Sequence, residues 1–363
     1  MKLKVAVVGG GNWGTTIGKL VAEKIDQIVF EKTVILYIHD REIKFKDQKM
    51  LMSHAINFYK ENPIYLPTIK LPENLQATAD LSELQCIDVF IFCLPVEYIN
   101  TISKLIIKSG AVGINLSKGL IELGSNLVTP SEYISEIFNI KCCSLMGPNI
   151  ANEIAVKGLS ETTIGFHTEN QKKLFQTLFT KKYFRPKFIN YTPIMEIYGA
   201  IKNVISISLG IIDQLTAKNY KSTHFRITSN TKGMVLRLGI NEMIRFAELK
   251  EKKLSCNIFM ESCGIGDLIV SSTSGRNYKS GKILADYLIN KEKNPKNGDL
   301  NEFLQSQFNC QHLQGLITVK TFYKYILKNG NITEFPLITA IYKICNENLE
   351  IDEFITIIST LKM

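Results

Sequence analysis

The chain has 363 residues, enough for about two domains of roughly 150 residues each. Hydrophobic residues make up 45% of it, as in globular proteins with a full core, and no run of about 18 residues is both apolar and free of charge, so we expect no membrane span. The formal net charge of +9 is spread over both halves, so we expect it to steer a small anionic substrate and not to bind nucleic acid.

The N-terminus and the cysteines favour an intracellular protein without bound metal. Met1–Lys4 passes directly into an apolar run, without the pattern of a signal peptide, and the cytoplasm is the expected compartment. The eight cysteines form no C-x-x-C pair, and no histidine lies at metal-ligand spacing from them. We therefore expect reduced thiols and no metal site.

Short apolar runs alternate with amphipathic stretches through the first half of the chain. The runs are rich in β-branched residues and end at glycine, proline or polar residues, which is typical of strands buried on both faces of a parallel sheet. The predicted strands are Leu3–Gly9, Val34–Asp40, Val89–Pro95, Val112–Ser117, Cys143–Gly147, Glu161–Phe166 and Phe184–Ile189, and the predicted helices are Trp13–Ile25, Tyr98–Ile107 and Pro130–Phe138. Such alternation predicts a doubly wound α/β fold.

The pattern changes near residue 190. Beyond it strand signals fade, and apolar residues recur at spacings of three and four in Pro193–Leu215, Thr231–Leu249 and Leu313–Leu327. We therefore predict a Rossmann-type α/β domain over 1–190 and an all-helical domain over 191–363. The segments 218–223 and 291–301, rich in lysine and asparagine, are expected to be exposed loops. The C-terminal Leu361–Met363 is expected to be an ordinary helix end and not a targeting signal.

A glycine-rich turn follows the first predicted strand. Between this strand and a helix, the pattern G-x-G-x-x-G is formed by Gly9, Gly10, Gly11, Asn12, Trp13 and Gly14. In a dinucleotide site such glycines allow a tight turn, close approach to the pyrophosphate and close packing of the helix on the strand. The free N–H groups of the helix N-terminus then face the pyrophosphate. The pattern alone also fits a glycine-rich turn without a ligand.

The ends of the second and third strands favour NAD as the cofactor. Asp40 lies roughly thirty residues after the first glycine, where an acid can bond the hydroxyls of the adenosine ribose and repel a 2′-phosphate. We therefore favour NAD over NADP, a preference that the neighbouring Arg41 moderates. Tyr98, just after the third strand, either flanks the nicotinamide or packs under the next helix.

Two lysines lie in apolar surroundings. Lys118 follows the strand Val112–Ser117, and Lys202 lies with Asn203 inside an apolar helical run. A buried lysine needs a partner or a task. Because burial lowers the pKa of a lysine toward neutrality, such a residue suits a general base that acts on an alcohol. The alternative is a lysine whose head group reaches solvent.

A polar segment in the second half suits a phosphate group. Glu261–Asp267 is rich in small residues and ends in a carboxylate, and Ser271–Asn277 is a Ser/Gly loop closed by Arg276 and Asn277. Arginine offers a fixed fork of donors to phosphate. A capped turn with a surface arginine would give the same pattern. The residues alone therefore indicate a dinucleotide-dependent enzyme that acts on an anionic substrate.

Together these segments resemble the soluble, dimeric family of NAD-dependent glycerol-3-phosphate dehydrogenases. The resemblance extends from Val5 to Phe354 and rests on motifs that occur in the same order. The motifs are Gly9–Gly14, Ser117–Gly119, Met146–Glu153, Glu161–Gly165, Lys202–Val204, Arg237–Gly239, Glu261–Gly264, Gly275–Asn277 and Leu313–Gly315. The resemblance implies an NAD-binding domain, a helical substrate domain, a homodimer, and reversible hydride transfer between NADH and dihydroxyacetone phosphate.

The resemblance also implies roles for single residues. Lys202 is expected to exchange a proton with the C2 oxygen as general acid and base, and Lys118 to contact the substrate and stabilise its developing charge. Further implied active-site positions are Asn203, Asp267 and Ser271, and the implied phosphate clamp consists of Arg276 and Asn277. The implied cofactor contacts are Gly9, Gly10, Gly11, Asn12, Trp13, Gly14, His39, Asp40, Tyr98, Lys118, Ala151, Arg276 and Gln314.

Three features depart from the family pattern. His39 stands where an aromatic residue often meets the adenine, His312 stands where a lysine commonly contacts the cofactor, and the segment 218–228 is longer than usual. The alternatives are a related dehydrogenase of a β-hydroxyacid or sugar nucleotide, and an inactive NAD-binding protein. The first would lack the Gly-Arg-Asn clamp beside Glu-Ser-Cys-Gly, and the second would have lost Lys202 or Lys118.

Overall fold

The computed structural model describes residues 1–124, 126–251, 256–290, 304, 307, 313–347 and 349–360. The chain divides into two compact units, Met1–Lys118 with Thr129–Pro193, and Gly119–Val128 with Ile194–Met363. The predicted loop 291–301, His312 and the C-terminal tripeptide lie outside the described residues.

In the part of the chain that the structure describes, the strands form one large sheet and two short hairpins. In chain order they are β1 (Leu3–Val8), β2 (Phe30–Tyr37), β3 (Glu42–Phe45), β4 (Gln48–Leu51), β5 (Leu75–Thr78), β6 (Val89–Phe92), β7 (Val112–Asn115), β8 (Ile121–Leu123), β9 (Asn126–Val128), β10 (Cys142–Met146), β11 (Ser160–Phe166) and β12 (Phe184–Asn190). β3 pairs with β4, and β8 pairs with β9. The other eight strands make the sheet of the first unit.

The large sheet has the strand order β5-β2-β1-β6-β7-β10-β11-β12. All neighbours are parallel except β10 and β11, which are antiparallel. Its first six strands follow the order of a dinucleotide-binding sheet, in which the strand order reverses beside the first strand and the ligand lies at that point. The predicted doubly wound α/β fold is confirmed.

Five short helices accompany this sheet. They are α1 (Asn12–Ala22), α2 (Met52–His54), α3 (Pro130–Phe138), α4 (Ala151–Ala155) and α5 (Glu169–Phe179), and α2 continues into a π-helical turn, Ala55–Tyr59. The apolar face of α1, with Ile17, Leu20 and Val21, packs into the core of the first unit. This burial fixes the helix N-terminus beside the end of β1.

Two predicted features of the first unit are corrected. The α-helix predicted over Tyr98–Ile107 is wrong, because the structure has a 3₁₀-helix over Val96–Ile102; β-branched residues such as Val96 and Ile99 lower its α-helix propensity. The second strand ends at Tyr37 and not at Asp40. Asp40 therefore lies in the loop that follows the strand.

The second unit, predicted to be all-helical, is mainly helical. Its helices are α6 (Ile194–Ala217), α7 (Ser229–Lys250), α8 (Cys256–Phe259), α9 (Asp267–Ser271), α10 (Arg276–Ile289), α11 (Gln314–Lys328), α12 (Pro336–Asn346) and α13 (Ile351–Thr360). The hairpin β8–β9 groups with this unit, which the sequence pattern did not show. The segment 218–228 is mostly exposed, and Asp352 of α13 accepts hydrogen bonds from the Tyr220 and Thr223 hydroxyls at 2.8 and 2.9 Å.

Helix α6 forms the centre of the second unit. It contacts α7, α10 and α11, and its apolar side chains belong to the core of that unit. Among the described residues it is the one helix long and apolar enough to cross a membrane, and its apolar stretch is fully buried in the protein. Such burial is typical of the core helix of a globular protein.

Candidate active site

The glycine turn of the first unit has the shape that a dinucleotide requires. Gly9 has a φ of +120°, which favours glycine. A Cβ at Gly14 would lie 1.7 Å from the carbonyl oxygen of Gly9, and a Cβ at Gly10 would lie 2.2 Å from Ile38 Cγ2. A Cβ at Gly11 would meet no atom within 4 Å. The turn therefore packs tightly against the protein at Gly10 and Gly14 and leaves open space at Gly11, where a pyrophosphate can approach.

The start of α1 lies beside α4. Gly11 precedes α1, and no side chain caps the N-terminus of this helix. Asn12 Nδ2 donates to Asn152 Oδ1 at 2.9 Å, and Thr16 Oγ1 donates to the carbonyl of Ala151 at 3.3 Å. Uncapped helix N–H groups attract anions. The structure thus brings Asn12 and Ala151 together, and the partly buried Trp13 follows Asn12 on the helix.

The loop after β2 borders the same turn. Gly9 N donates to the carbonyl of Tyr37 at 2.9 Å, which ties the end of β2 to the first glycine. His39 is exposed. The carboxylate of Asp40 accepts hydrogen bonds from the backbone N–H groups of Arg41 and Ser53, each at 3.0 Å, and from the hydroxyl of Ser53. The protein itself therefore occupies much of the acceptor capacity of Asp40.

Two further candidates follow the next strands of the sheet. Tyr98 comes after β6 on the 3₁₀-helix and is 42% exposed, so it is not packed under a helix. Lys118 comes after β7, and its Nζ donates to the carbonyl of Gly147 at 3.1 Å. Both residues stand at carboxyl ends of parallel strands, the edge at which α/β sheets bind ligands.

Asn149 is a polar residue of this edge that sequence reasoning did not single out. Its Nδ2 donates to Thr162 Oγ1 at 3.1 Å, and that hydroxyl donates to the carbonyl of Met146 at 3.0 Å. Asn149 Oδ1 is buried and accepts no hydrogen bond from the residues that the structure describes. An unbonded buried acceptor is costly. Asn149 and Gly147, which accepts the hydrogen bond from Lys118, both lie in the Met146–Glu153 motif. This shared motif could have marked Asn149 as a candidate site residue.

The second unit gathers the candidate acid–base residues. Lys202 Nζ lies 2.5 Å from Asp267 Oδ1 and 2.5 Å from Ser271 Oγ. Lys202 is 7% exposed and Asp267 is 2% exposed, so both charges lie inside the protein. The alternative of a lysine whose head group reaches solvent is therefore wrong: Lys202 is buried against a carboxylate. Asn203, also 7% exposed, donates from Nδ2 to the carbonyl of Gly199 at 3.3 Å.

Two helix N-termini meet near these residues. Gly275, with a φ of +93°, precedes α10, and Leu313 precedes α11; neither helix has a side-chain cap. Gly315 N donates to Asn277 Oδ1 at 3.0 Å, which joins the two helix starts. A Cβ at Gly315 would lie 2.9 Å from the carbonyl oxygen of Asn203. The α10 and α11 N-termini therefore converge on the α6 turn that carries Lys202 and Asn203.

The place where the two helix starts converge has features that attract anions. Arg276 stands at the first position of α10; the residue is solvent-exposed, yet enough protein surrounds the guanidinium that desolvation lowers its pKa. Gln314 Nε2, at the start of α11, is buried and donates to none of the described residues. Helix N-termini and a guanidinium both favour anions. Sequence reasoning missed Gly315, whose close approach holds the two helices together.

Across the described ranges, no three His, Cys, Asp or Glu residues are grouped so that they could hold a metal ion.

Both units match known sequence profiles. The profile described as the N-terminus of NAD-dependent glycerol-3-phosphate dehydrogenase matches residues 4–172, and the profile for its C-terminus matches residues 194–356. Human "glycerol-3-phosphate dehydrogenase 1-like protein" is 34% identical over 361 residues, which are 98% of this chain and 96% of the relative. The bovine "glycerol-3-phosphate dehydrogenase [NAD(+)], cytoplasmic" is 34% identical over 97% of this chain and 96% of the relative.

Solved structures are similar over the whole chain. A glycerol-3-phosphate dehydrogenase from Plasmodium falciparum has a TM-score of 0.86 at 33% identity and covers 100% of this chain and 96% of its own. The enzyme from Saccharomyces cerevisiae has a TM-score of 0.82 at 31% identity, with 99% of both chains covered. With both profiles and full-length relatives in agreement, the chain belongs to the family of NAD-dependent glycerol-3-phosphate dehydrogenases.

Proposed function

We propose that this chain catalyses reversible hydride transfer between NADH and dihydroxyacetone phosphate, which gives sn-glycerol 3-phosphate. The contact of buried Lys202 with Asp267 and Ser271 carries the proposal, because an alcohol–ketone interconversion needs a positioned proton donor and acceptor. The names of the human and bovine relatives support the same activity. The first unit would bind the cofactor, and the second would bind the substrate phosphate and move the proton.

Lys202 performs the proton step of the proposed reaction. In reduction its ammonium gives a proton to the C2 oxygen of the substrate; in oxidation its amine takes that proton back. Bound NADH supplies the hydride. Asp267 and Ser271 fix the direction of Nζ. Lys118 of the first unit, whose Nζ donates to the carbonyl of Gly147 at 3.1 Å, offers a second positive charge for an anionic ligand.

The phosphate group of the substrate is assigned to the joined N-termini of α10 and α11. Arg276 provides a charged fork of donors, and the backbone N–H groups of the uncapped helix starts add partial positive charge. Asn277 fixes the two helix starts relative to each other through Gly315. Such a site distinguishes dihydroxyacetone phosphate from its unphosphorylated analogue.

The residues of the first unit fit an NAD dinucleotide. The open space at Gly11 and the uncapped N-terminus of α1 suit the pyrophosphate. Asn12 and Ala151 lie at the start of α1, Trp13 follows Asn12 on that helix, and His39 and Asp40 follow β2 toward the adenosine end. Tyr98, which follows β6 and is 42% exposed, is assigned to the nicotinamide end.

A homodimer in the cytoplasm is the proposed state of the protein. The resemblance to the dimeric family implies the dimer, and the bovine relative is named cytoplasmic. Light scattering coupled to gel filtration measures the mass in solution. A mass near the 41.1 kDa of one chain at micromolar concentration would overturn the dimer.

The activity is tested by following NADH absorbance with a set of ketone substrates. We expect rapid NADH oxidation with dihydroxyacetone phosphate and little with dihydroxyacetone or a β-keto acid. Faster turnover of the β-keto acid would indicate a β-hydroxyacid dehydrogenase. Tight NADH binding without turnover of any substrate would indicate an inactive binding protein; Trp13, the one tryptophan of the chain, reports that binding through its fluorescence.

A further inference from the structure

The loop after β2 carries two neighbouring charges beside the glycine turn. Ile38 packs under Gly10, and Asp40 and Arg41 follow it. In dinucleotide-binding sheets this loop lies at the adenosine ribose, where an acid bonds the 2′-hydroxyl of NAD and an arginine accommodates the 2′-phosphate of NADP. Here Asp40 and Arg41 supply both residue types, so the contacts of each side chain decide which of them is available to the adenosine ribose.

Asp40 is engaged by the protein. Its Oδ1 accepts hydrogen bonds from the backbone N–H groups of Arg41 and Ser53, each at 3.0 Å, and its Oδ2 accepts from the hydroxyl of Ser53. Three donors satisfy most of the acceptor sites of the carboxylate and offset part of its charge. Asp40 therefore fixes the loop to the start of α2 and has little capacity left to select a ribose hydroxyl.

Arg41 is held differently. Its guanidinium carbon lies 5.3 Å from the centroid of the Tyr65 ring, a cation–π contact. No carboxylate of the described residues lies within 4.0 Å of this guanidinium, whereas the exposed Lys44 nearby pairs with Asp47. Stacking restrains a guanidinium while its N–H donors stay available for an anion.

The ring under Arg41 is tied to the glycine turn itself. Tyr65 N donates to Asn62 Oδ1 at 3.1 Å, and Asn62 Nδ2 donates to the carbonyl of Gly10 at 3.1 Å. Asn62 is fully buried, so this connection is rigid. The cation of Arg41 is thus anchored, through Tyr65 and Asn62, to Gly10, the residue before the open position at Gly11.

We propose that Arg41 holds the 2′-phosphate of NADPH and that the chain uses NADPH as well as NADH. The reaction is unchanged: one hydride and one proton reduce dihydroxyacetone phosphate, and NADPH leaves as NADP⁺. The proposal rests on the proposed cofactor site in the first unit and deepens it. It does not depend on the substrate or on Lys202.

Binding of two nucleotide fragments tests the proposal without turnover. Adenosine 5′-monophosphate and adenosine 2′,5′-bisphosphate differ by the 2′-phosphate alone, and isothermal titration gives a dissociation constant for each. We expect the wild-type chain to bind the bisphosphate at least as tightly as the monophosphate. Arg41→Glu should weaken bisphosphate binding by more than about tenfold, the worth of a charge-assisted hydrogen bond, and change monophosphate binding by much less. Preference of the wild-type chain for the monophosphate by more than about tenfold would overturn the proposal.

Steady-state kinetics supply the second measurement. The ratio of kcat/KM for NADPH to that for NADH should lie within about tenfold of unity in the wild-type chain and fall by more than about tenfold in Arg41→Glu. Lys44→Glu is the matched control, since it makes the same charge change on the adjoining hairpin and should leave the ratio unchanged. An equal fall in both variants would mean that overall charge, not Arg41, sets the preference. If neither cofactor reduces dihydroxyacetone phosphate, the proposed function fails, and the fragment titration still decides the role of Arg41.

Discussion

At the scale of single residues, the second unit contains two lysine–carboxylate pairs of equal length in different surroundings. The Lys202–Asp267 pair and the Lys232–Asp213 pair each have an N–O distance of 2.5 Å. The side chains of the first pair are 9% and 2% exposed, and those of the second are 26% and 22% exposed. A deeply buried pair carries a desolvation cost that a partly exposed pair largely avoids. The Lys202–Asp267 pair therefore calls for a functional explanation. The Lys232–Asp213 pair provides a control variant for experiments on Lys202.

The first prediction is that Lys202→Met lowers kcat at least about a hundredfold, since a positioned acid or base contributes about 10²–10⁴. Methionine keeps the volume of the side chain and removes its charge and proton. The NADH dissociation constant, measured by Trp13 fluorescence, should change only a few-fold because the proposed cofactor contacts lie mainly in the first unit. Lys232→Met should keep a near-normal kcat. A Lys202→Met variant as active as this control would make Lys202 structural and leave Lys118 as the acid–base candidate.

The second prediction concerns the phosphate clamp. Arg276→Ala should raise KM for dihydroxyacetone phosphate well over tenfold, because a hydrogen bond to a charged group contributes about 1.5–3 kcal/mol. The weak activity with unphosphorylated dihydroxyacetone should change little. Arg245→Ala, which removes a surface arginine bonded to the carbonyl of Glu334, controls for the loss of a positive charge. Equal losses on both substrates would show that Arg276 does not recognise the phosphate.

At the scale of helices, close packing of α10 on α6 fixes the site of the second unit. A Cβ at Gly210 of α6 would lie 2.1 Å from the carbonyl oxygen of Tyr278, and one at Gly281 of α10 would lie 2.1 Å from that of Ile207. Two glycines thus let the helix backbones touch. Because Arg276 begins α10 and Lys202 lies on α6, this contact sets the distance between the proposed phosphate clamp and the proposed proton donor.

The third prediction is that Gly281→Ala pushes α10 away from α6. We expect a loss of about 1–3 kcal/mol in the free energy of unfolding, the usual cost of overpacking. KM for dihydroxyacetone phosphate should rise in the variant that still folds, because the start of α10 moves. Gly233→Ala is the matched control: Gly233 lies inside α7, a Cβ there would meet no atom within 4 Å, and alanine should stabilise by about 0.5–1 kcal/mol. Urea unfolding measures the free energy of unfolding of both variants. Equal values for Gly281→Ala and Gly233→Ala would contradict the close packing of α10 on α6.

At the scale of the whole molecule, the sequence predicts those strands and helices whose pattern of apolar residues matches the surface that they bury in the folded protein. Continuous apolar runs such as Val89–Phe92 become buried parallel strands, and the spacing in α6 predicts a core helix. β5 was not predicted, because its four residues Leu75–Thr78 include two polar ones and give no clear period. The hairpin β3–β4 was missed because each of its strands has only four residues, and half of these residues are charged or polar.

The local sequence also predicts some features of the candidate site and not others. The burial of Lys202 follows from its apolar neighbours in the sequence, and the glycine turn follows from its spacing. The hydrogen bonds from Ser53 to Asp40 and from Gly315 to Asn277 join residues far apart in the chain. No local pattern reports such contacts, because they depend on how the elements pack.

The last prediction concerns the pH dependence of the stability of the whole protein. Glu242 of α7 is 3% exposed, and its carboxyl accepts hydrogen bonds from Leu337 N at 2.6 Å and Ile338 N at 3.0 Å, at the start of α12. Burial raises the pKa of Glu242 to about 8, although the two N–H donors and the nearby Arg245 act to lower it. Between its ordinary pKa and about 8 the folded state therefore binds more protons than the unfolded state, so the contribution of Glu242 to stability falls as pH rises through this range.

Glu242→Gln removes this titration and keeps the size of the side chain. The stability of the wild-type chain relative to this variant should therefore decrease from about pH 5 to about pH 8, as measured by urea unfolding at each pH. The exposed Glu248 of the same helix gives the control, since Glu248→Gln should show no such trend. A wild-type advantage that stays constant across this range would mean that the carboxylate remains charged throughout. In that case the hydrogen bonds from Leu337 and Ile338 would outweigh the cost of burial.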